Sequence, residues 1–284
     1  MFLKMRYLTH LHELCRLEKV MPTLLIATTE ADACAPACTP QHGAETADVH
    51  SSSQEYAARF GGAVGGWMLS VQEAAVLKLL DQHCTSVLDV GGGHGQIALP
   101  LATKANRAVT VLGSSPVCAE LLRRYIDTGS ILFKTGNLIE LPYEHDSFNL
   151  VVSFRLLSHC TAWRTLIAEM CRVSNHAVIV DYPVRFSSNV LTPLLFSVKR
   201  RLEGNTRTYR IFSTREVHRE FKKAGFRLLG LEKQFLFPMG LHRALKSRKL
   251  SQILETVARA TLLTRLFGSP VVAKYVRKGA HVSE

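Results

Sequence analysis

Residues 87–95 read VLDVGGGHG, and this string constrains the fold more than any other stretch of the chain. A hydrophobic run carries an acid, Asp89, and passes straight into G-x-G-x-G. Gly91 allows a tight turn, and Gly93 lets a ligand come close to the backbone. Gly95 lets the next helix start near the strand and present its first N–H groups. A strand, a glycine turn and a helix in that order is the opening unit of an open α/β sheet. Such sheets bind their ligands at the carboxyl ends of the strands, where Asp89 places a negative charge. A dinucleotide site would require G-x-G-x-x-G. Counting from Gly91, the sixth position is Gln96, so that spacing is missed.

The rest of the sequence extends the same rhythm. Short β-type runs are expected at 86–90, 109–112, 131–134, 148–154 and 177–182, with helical spacing at 71–80 and 96–105. Ser115 and Pro116 suggest an N-cap and first helical position, opening a helix to Tyr125, and Thr161 is placed to cap a helix reaching Val173. Alternation with short connections predicts a doubly wound, Rossmann-like α/β sheet covered on both faces. After residue 182 the rhythm breaks. Ser213 and Glu216 form a candidate capping box, and the helix they open should stop at Gly225. Strands are expected at 226–235 and 270–276, separated by a basic helical stretch over 240–267. The α/β pattern therefore carries two helical lid insertions, near 185–212 and 238–268.

The first 53 residues read as an extension to a domain spanning 54–284. Leu3, Tyr7, Leu11 and Leu14 share one helical side, while His10, His12 and Glu13 interrupt any signal-peptide core. This is expected to be an interfacial or targeting helix, a short accessory helix, or an upstream extension if translation begins at Met21. Residues 28–53 lack periodicity and read as a disordered linker. Hydrophobic residues make up 47% of the chain and charged ones 20%, enough apolar content for a proper core. No apolar run approaches the ~18 residues of a membrane span. Seven scattered cysteines suggest reduced thiols and a cytoplasmic setting. Cys34 and Cys38 have no second pair or His cluster nearby, so no metal is expected. The net charge of +12 is uneven, with 21 Lys or Arg against 6 Asp or Glu from residue 185 onward.

Residues 136–160, GNLIELPYEHDSFNLVVSFRLLSHC, add weight to the glycine turn. Leu141-Pro142, Ser147-Phe148 and His159, together with the VLDVGGGHG turn, resemble class I S-adenosylmethionine-dependent methyltransferases. The broad group that includes quinone-biosynthesis and other small-molecule methyltransferases is the most similar. The resemblance implies S-adenosylmethionine as cofactor and a seven-stranded, mostly parallel sheet whose last strand is antiparallel. It implies a cofactor site built from Asp89, Gly91, Gly93, Gly95, Gly113, Ser114, Ser115, Asn137, Leu138 and Phe154. Two positions depart from the family pattern. Gly113 stands where the family's acid accepts hydrogen bonds from both ribose hydroxyls, and Asn137 replaces the Asp beside the adenine. Loss of the first removes charge-assisted bonds of about 1.5–3 kcal/mol each.

Methyl transfer from a sulfonium mainly requires alignment and exclusion of water. A base is needed only if the acceptor must lose a proton, and His159 is the candidate. Its structural alternative is packing against the loop. Arg155, Asp181 and Tyr182 sit at strand ends facing the same crevice, and a structural role is favoured for Arg155. Tyr56, Arg59 and Phe60 either close over the cofactor or anchor the first core helix. The insertions are expected to shape a pocket for a small, apolar, lipid-like acceptor. Their basic amphipathic helices suggest peripheral membrane association; the alternative is lid helices with solvated basic faces. Nucleic acid is not expected, because no aromatic–basic interleaving or RNA-module motif is present. The other functional classes that remain are an RNA methyltransferase, a non-catalytic binding protein of this fold, and a nicotinamide oxidoreductase.

Overall fold

The computed structural model describes residues 45–187 and 209–280. Expectations for the amino-terminal helix, the Cys34–Cys38 pair and the apolar-basic stretch at 190–202 lie outside those residues. The described elements run α1 (Ala47–Ser51), α2 (Gln54–Ala58), α3 (Gly62–Leu79), β1 (Ser86–Val90), α4 (Ala98–Thr103) and β2 (Ala108–Gly113). A 3₁₀ segment (Pro116–Leu122) leads into α5 (Arg123–Asp127), followed by β3 (Leu132–Thr135), β4 (Phe148–Ser153), α6 (Trp163–Val173) and β5 (Ser174–Tyr182). After the insertion come α7 (Thr214–Lys223), β6 (Phe226–Lys233), α8 (Met239–Leu245), α9 (Arg248–Ala260), α10 (Leu263–Phe267) and β7 (Val271–Arg277).

The seven strands form one sheet in the order β3-β2-β1-β4-β5-β7-β6. β1 through β5 pair in parallel, whereas β7 runs antiparallel to both β5 and β6. This is the expected doubly wound Rossmann-like sheet with an antiparallel last strand. The central strands are buried on both faces, which is why their sequences run almost continuously apolar instead of alternating. Neighbouring residues show this directly: Leu88, Val90 and Val151 enter one core, Val87, Leu150 and Val152 the other. β1 is flanked by β2 and β4, so the crossovers reverse direction between β1 and β4. The crevice outside the carboxyl ends of those strands is where a ligand site belongs.

Several local expectations required correction. Ser115 makes no side-chain cap, and the segment after it is 3₁₀ before it becomes α-helical at Arg123. Helix α6 begins at Trp163 after Ala162, without a side-chain cap from Thr161. Ser213 does precede α7 but its side chain makes no cap bond. Glu216 instead accepts from Arg210 at 2.5 Å, because a guanidinium within reach outcompetes a neutral backbone N–H. The stretch 45–53, read as the end of a linker, contains α1 and the start of the turn into α2, and Asp48 within it is fully buried. Gly225, at φ +84, ends α7 as expected.

A smaller core of Phe60, Val64, Trp67, Met68 and Phe235 fastens α3 to the end of β6. The helices α8–α10 follow from there, with Met239 packed against that core.

Candidate functional site

The glycine turn lies where the sequence places it. Gly91, at φ +75, donates its N–H to Leu112 O at 2.8 Å and so ties the turn to the end of β2. Only glycine reaches that conformation without strain. Asp89 is 1% exposed and lies beneath the turn. Burial pushes its carboxyl up to about 7, with a backbone hydrogen bond from Ala98 opposing the shift. Its Oδ1 has no hydrogen-bond partner. The same is true of both ring nitrogens of His94, Gln96 Oε1 and Ser52 Oγ. Groups of this kind cost about 1–3 kcal/mol each when buried unsatisfied. Five such atoms gather at this one turn, which makes it the candidate site for a polar ligand. Burial together with the Arg155 charge pulls the His94 imidazole down to about 4, so it is neutral at physiological pH and can both donate and accept.

At the end of β2 the structure explains the missing acid. A Cβ at Gly113 would lie 2.8 Å from Cys118 Cβ and 2.8 Å from Phe133 Cζ. Any side chain there would have to displace those neighbours. The carboxylate in this corner arrives from α1. Asp48 Oδ2 accepts from Ser114 N at 2.8 Å, its Oδ1 accepts from the Ser114 hydroxyl, and Cys118 Sγ lies 3.4 Å away. The sequence reading missed Asp48. The one available signal was an acid in an aperiodic stretch, which marks no structure by itself. The contact to Ser114 spans 66 residues and is invisible to local periodicity.

α1 lies directly over the turn. A Cβ on Gly93 would meet Ser52 Oγ at 2.3 Å, and one on Gly91 would meet Asp48 Cβ at 3.3 Å. The close approach that Gly93 permits is thus filled by the chain itself. The space left between Asp89, Gly91, His94, Phe154 and Ser51 is about 10 Å³, roughly one water.

A second cavity of about 70 Å³ lies behind the first, and Tyr56 and Arg155 line both. Its walls combine apolar groups (Met68, Phe235, Met239) with His159, Gln72 and Asp181. Asp181 Oδ1 accepts from Arg155 N at 2.6 Å, and its Oδ2 accepts from Gln72 Nε2 at 3.0 Å. Arg155 closes the ring, donating from Nη2 to Gln72 Oε1 at 3.1 Å. Burial raises the Asp181 carboxyl to about 6, against the lowering effect of the Arg155 backbone bond and charge. The Arg155 guanidinium stacks over Phe60 at 3.8 Å, and its backbone holds φ +58. A non-glycine residue in the left-handed region costs of order 1–3 kcal/mol and persists where its surroundings overdetermine it. Arg155 thereby forms the partition between the two cavities.

His159 lines the second cavity, its ring 5.7 Å from that of Tyr209. Phe154 reaches the first cavity. Asn137 Oδ1 accepts from Ile139 N at 3.2 Å, an Asx turn. Leu138 is fully buried in the main core and supports the loop from beneath. Tyr182 is likewise core.

Residues 87–176 match the family model described as a methyltransferase domain. No curated protein sequence matches the chain. Among solved structures, a SAM-dependent methyltransferase from Thermotoga maritima aligns with TM-score 0.58 at 19% identity, over 82% of this chain and 99% of that one. Magnesium protoporphyrin IX methyltransferase from Synechocystis PCC 6803 with bound SAH aligns with TM-score 0.54 at 15% identity, over 81% and 97%. The [4+2]-cyclase SpnF aligns with TM-score 0.50 at 19% identity, over 75% and 80%. The architecture is the class I methyltransferase fold. The cyclase shows that this fold alone does not fix the reaction.

Proposed function

We propose that the chain is an S-adenosylmethionine-dependent methyltransferase acting on oxygen or carbon of a small, largely apolar acceptor. What supports this most is the cluster of unsatisfied buried polar atoms around the glycine turn, next to a second, mainly apolar cavity behind the Arg155 partition. The donor set fits the cofactor chemically: Asp89 for a cationic amino-acid end, the Gly91 turn beside it, and the Asp48–Ser114 pair at the β2 corner for a ribose. With only about 10 Å³ open, α1 has to move outward for the cofactor to enter.

The cofactor supplies a methyl group on an excellent sulfonium leaving group. The chain's own work is alignment and exclusion of water. Tyr56 and Phe60 cover the partition, and the Gln72–Asp181–Arg155 ring holds its position. For a hydroxyl acceptor, a ring nitrogen of His159 takes the proton. Methyl-labelled cofactor incubated with phenols, quinones and fatty-acyl acceptors should give labelled, extractable product. Label recovered only in RNA, or in nothing, would sink this substrate class.

His159→Ala should lower kcat toward a hydroxyl acceptor by about a hundredfold and leave S-adenosylhomocysteine affinity unchanged. Unchanged turnover would confine His159 to packing against Tyr209.

A further inference from the structure

We propose that α8–α10 form a docking face for an anionic lipid surface. The inference rests on exposure and charge, and stands apart from whether the chain transfers methyl groups.

Helix α9 uses one side for the core: Ser251, Glu255 and Ala258 are buried. A second side, about a third of a turn away at helical spacing, carries Leu250, Ile253 and Val257 at i, i+3 and i+7, with Ile253 60% and Val257 57% exposed. Helix α10 and the residue before it continue the surface with Leu262, Leu263, Leu266 and Phe267, of which Leu266 is 60% exposed. α9 and α10 are in contact, so these residues belong to one projecting unit. Scattered exposed leucines need no explanation, but a run of this density on consecutive helices marks an interaction site.

Charge selects the partner. The one acid between residues 239 and 267 is Glu255. It is buried, accepting from Leu236 N and Phe237 N, and lies 3.1 Å from His242 Nε2. Every other charged residue there is basic. Lys246, Arg248, Lys249 and Arg265 are exposed and form no ion pair among the described residues. Apolar side chains bordered by unpaired cations match a bilayer interface with anionic headgroups. A second copy fits poorly, because a two-fold contact sets the same cations against each other. Met239, the first residue of α8, lines the second cavity, so the docking element is also a wall of the candidate acceptor pocket.

The test is flotation of the full chain with vesicles of phosphatidylcholine alone or mixed with phosphatidylglycerol. Binding is expected to the mixed vesicles, weaker at high salt. Lys249→Glu and Arg265→Glu should each weaken it by about fivefold or more. Ile253→Asp combined with Leu266→Asp should remove it while circular dichroism and Tm stay close to wild type, since both residues are exposed. No flotation with either vesicle overturns the proposal, as does flotation that survives the double substitution. A concentration-dependent dimer that the double substitution dissolves would assign the face to a second copy and overturn it equally.

Discussion

Asp48→Ala is expected to weaken S-adenosylhomocysteine binding by about ten- to a hundredfold, the loss of one or two charge-assisted hydrogen bonds. Asp48 places the only carboxylate described at the β2 corner, where it already holds the N–H and hydroxyl of Ser114. A carboxylate has about four acceptor sites; Ser114 uses two and the Cys118 thiol a third. The remaining one, and the weak thiol's place, are open to a ribose edge once α1 has shifted outward. Stability should fall too, because the variant leaves the half-buried Ser114 N with no acceptor, at about 1–3 kcal/mol. Titrations therefore belong at a temperature where circular dichroism shows the variant folded. Asp48→Asn, which retains an acceptor oxygen, should keep more of the stability than of the affinity. The opposite sign in binding is equally informative. If Asp48→Ala tightens the ligand, α1 is a plug that competes with it, and the corner carries no ribose acid.

Gly113→Asp would restore the residue of the family pattern, and it is expected to cost stability without gaining affinity. The added Cβ would come within 2.8 Å of both Cys118 and Phe133, and a charged group would follow it into a corner already holding Asp48. Overpacking of this kind costs roughly 1–3 kcal/mol, and like-charge repulsion adds to it. The expected reading is a Tm lower by several degrees and weaker ligand binding. A variant as stable as wild type that binds more tightly would show that the corner is roomier than its packing indicates, and that Asp48 is not its acid.

These two positions also show where sequence reasoning reached and where it stopped. β1, β2, β4 and β5 were legible because strands buried on both faces must be continuously apolar, and the glycine turn announced the connection after β1. The late antiparallel pair came from the family resemblance, which suited the two apolar runs after residue 225. α1 was not legible. It is five residues long and polar, and what orders it is a carboxylate bonded to a serine 66 positions away. The caps expected at Ser115, Thr161 and Ser213 failed for a related reason. Each is a sound local proposal that local physics leaves undecided, and at Glu216 the deciding partners are Arg210 and Arg164. Of the predicted site, Asp89, Gly91, Phe154 and Ser114 gather around one small cleft or its β2 edge, and His159 faces the neighbouring one. Leu138 does not reach either, and Gly113 takes part by leaving room for its neighbours.

Calorimetric titration of the full chain with S-adenosylhomocysteine, repeated from pH 5 to pH 8, bears most directly on the proposed cofactor site. Burial holds the Asp89 carboxyl at about 7, well above its unfolded value near ~3.9. The fold therefore favours its protonated form, and this contribution to stability is lost as pH rises from about 4 through 7. A ligand bearing an ammonium group needs the ionised form. Affinity should be micromolar at pH 8 and fall by about tenfold for each pH unit below 7. No heat at millimolar ligand across that range would contradict a cofactor site at the glycine turn, and the proposed methyl transfer would fall with it.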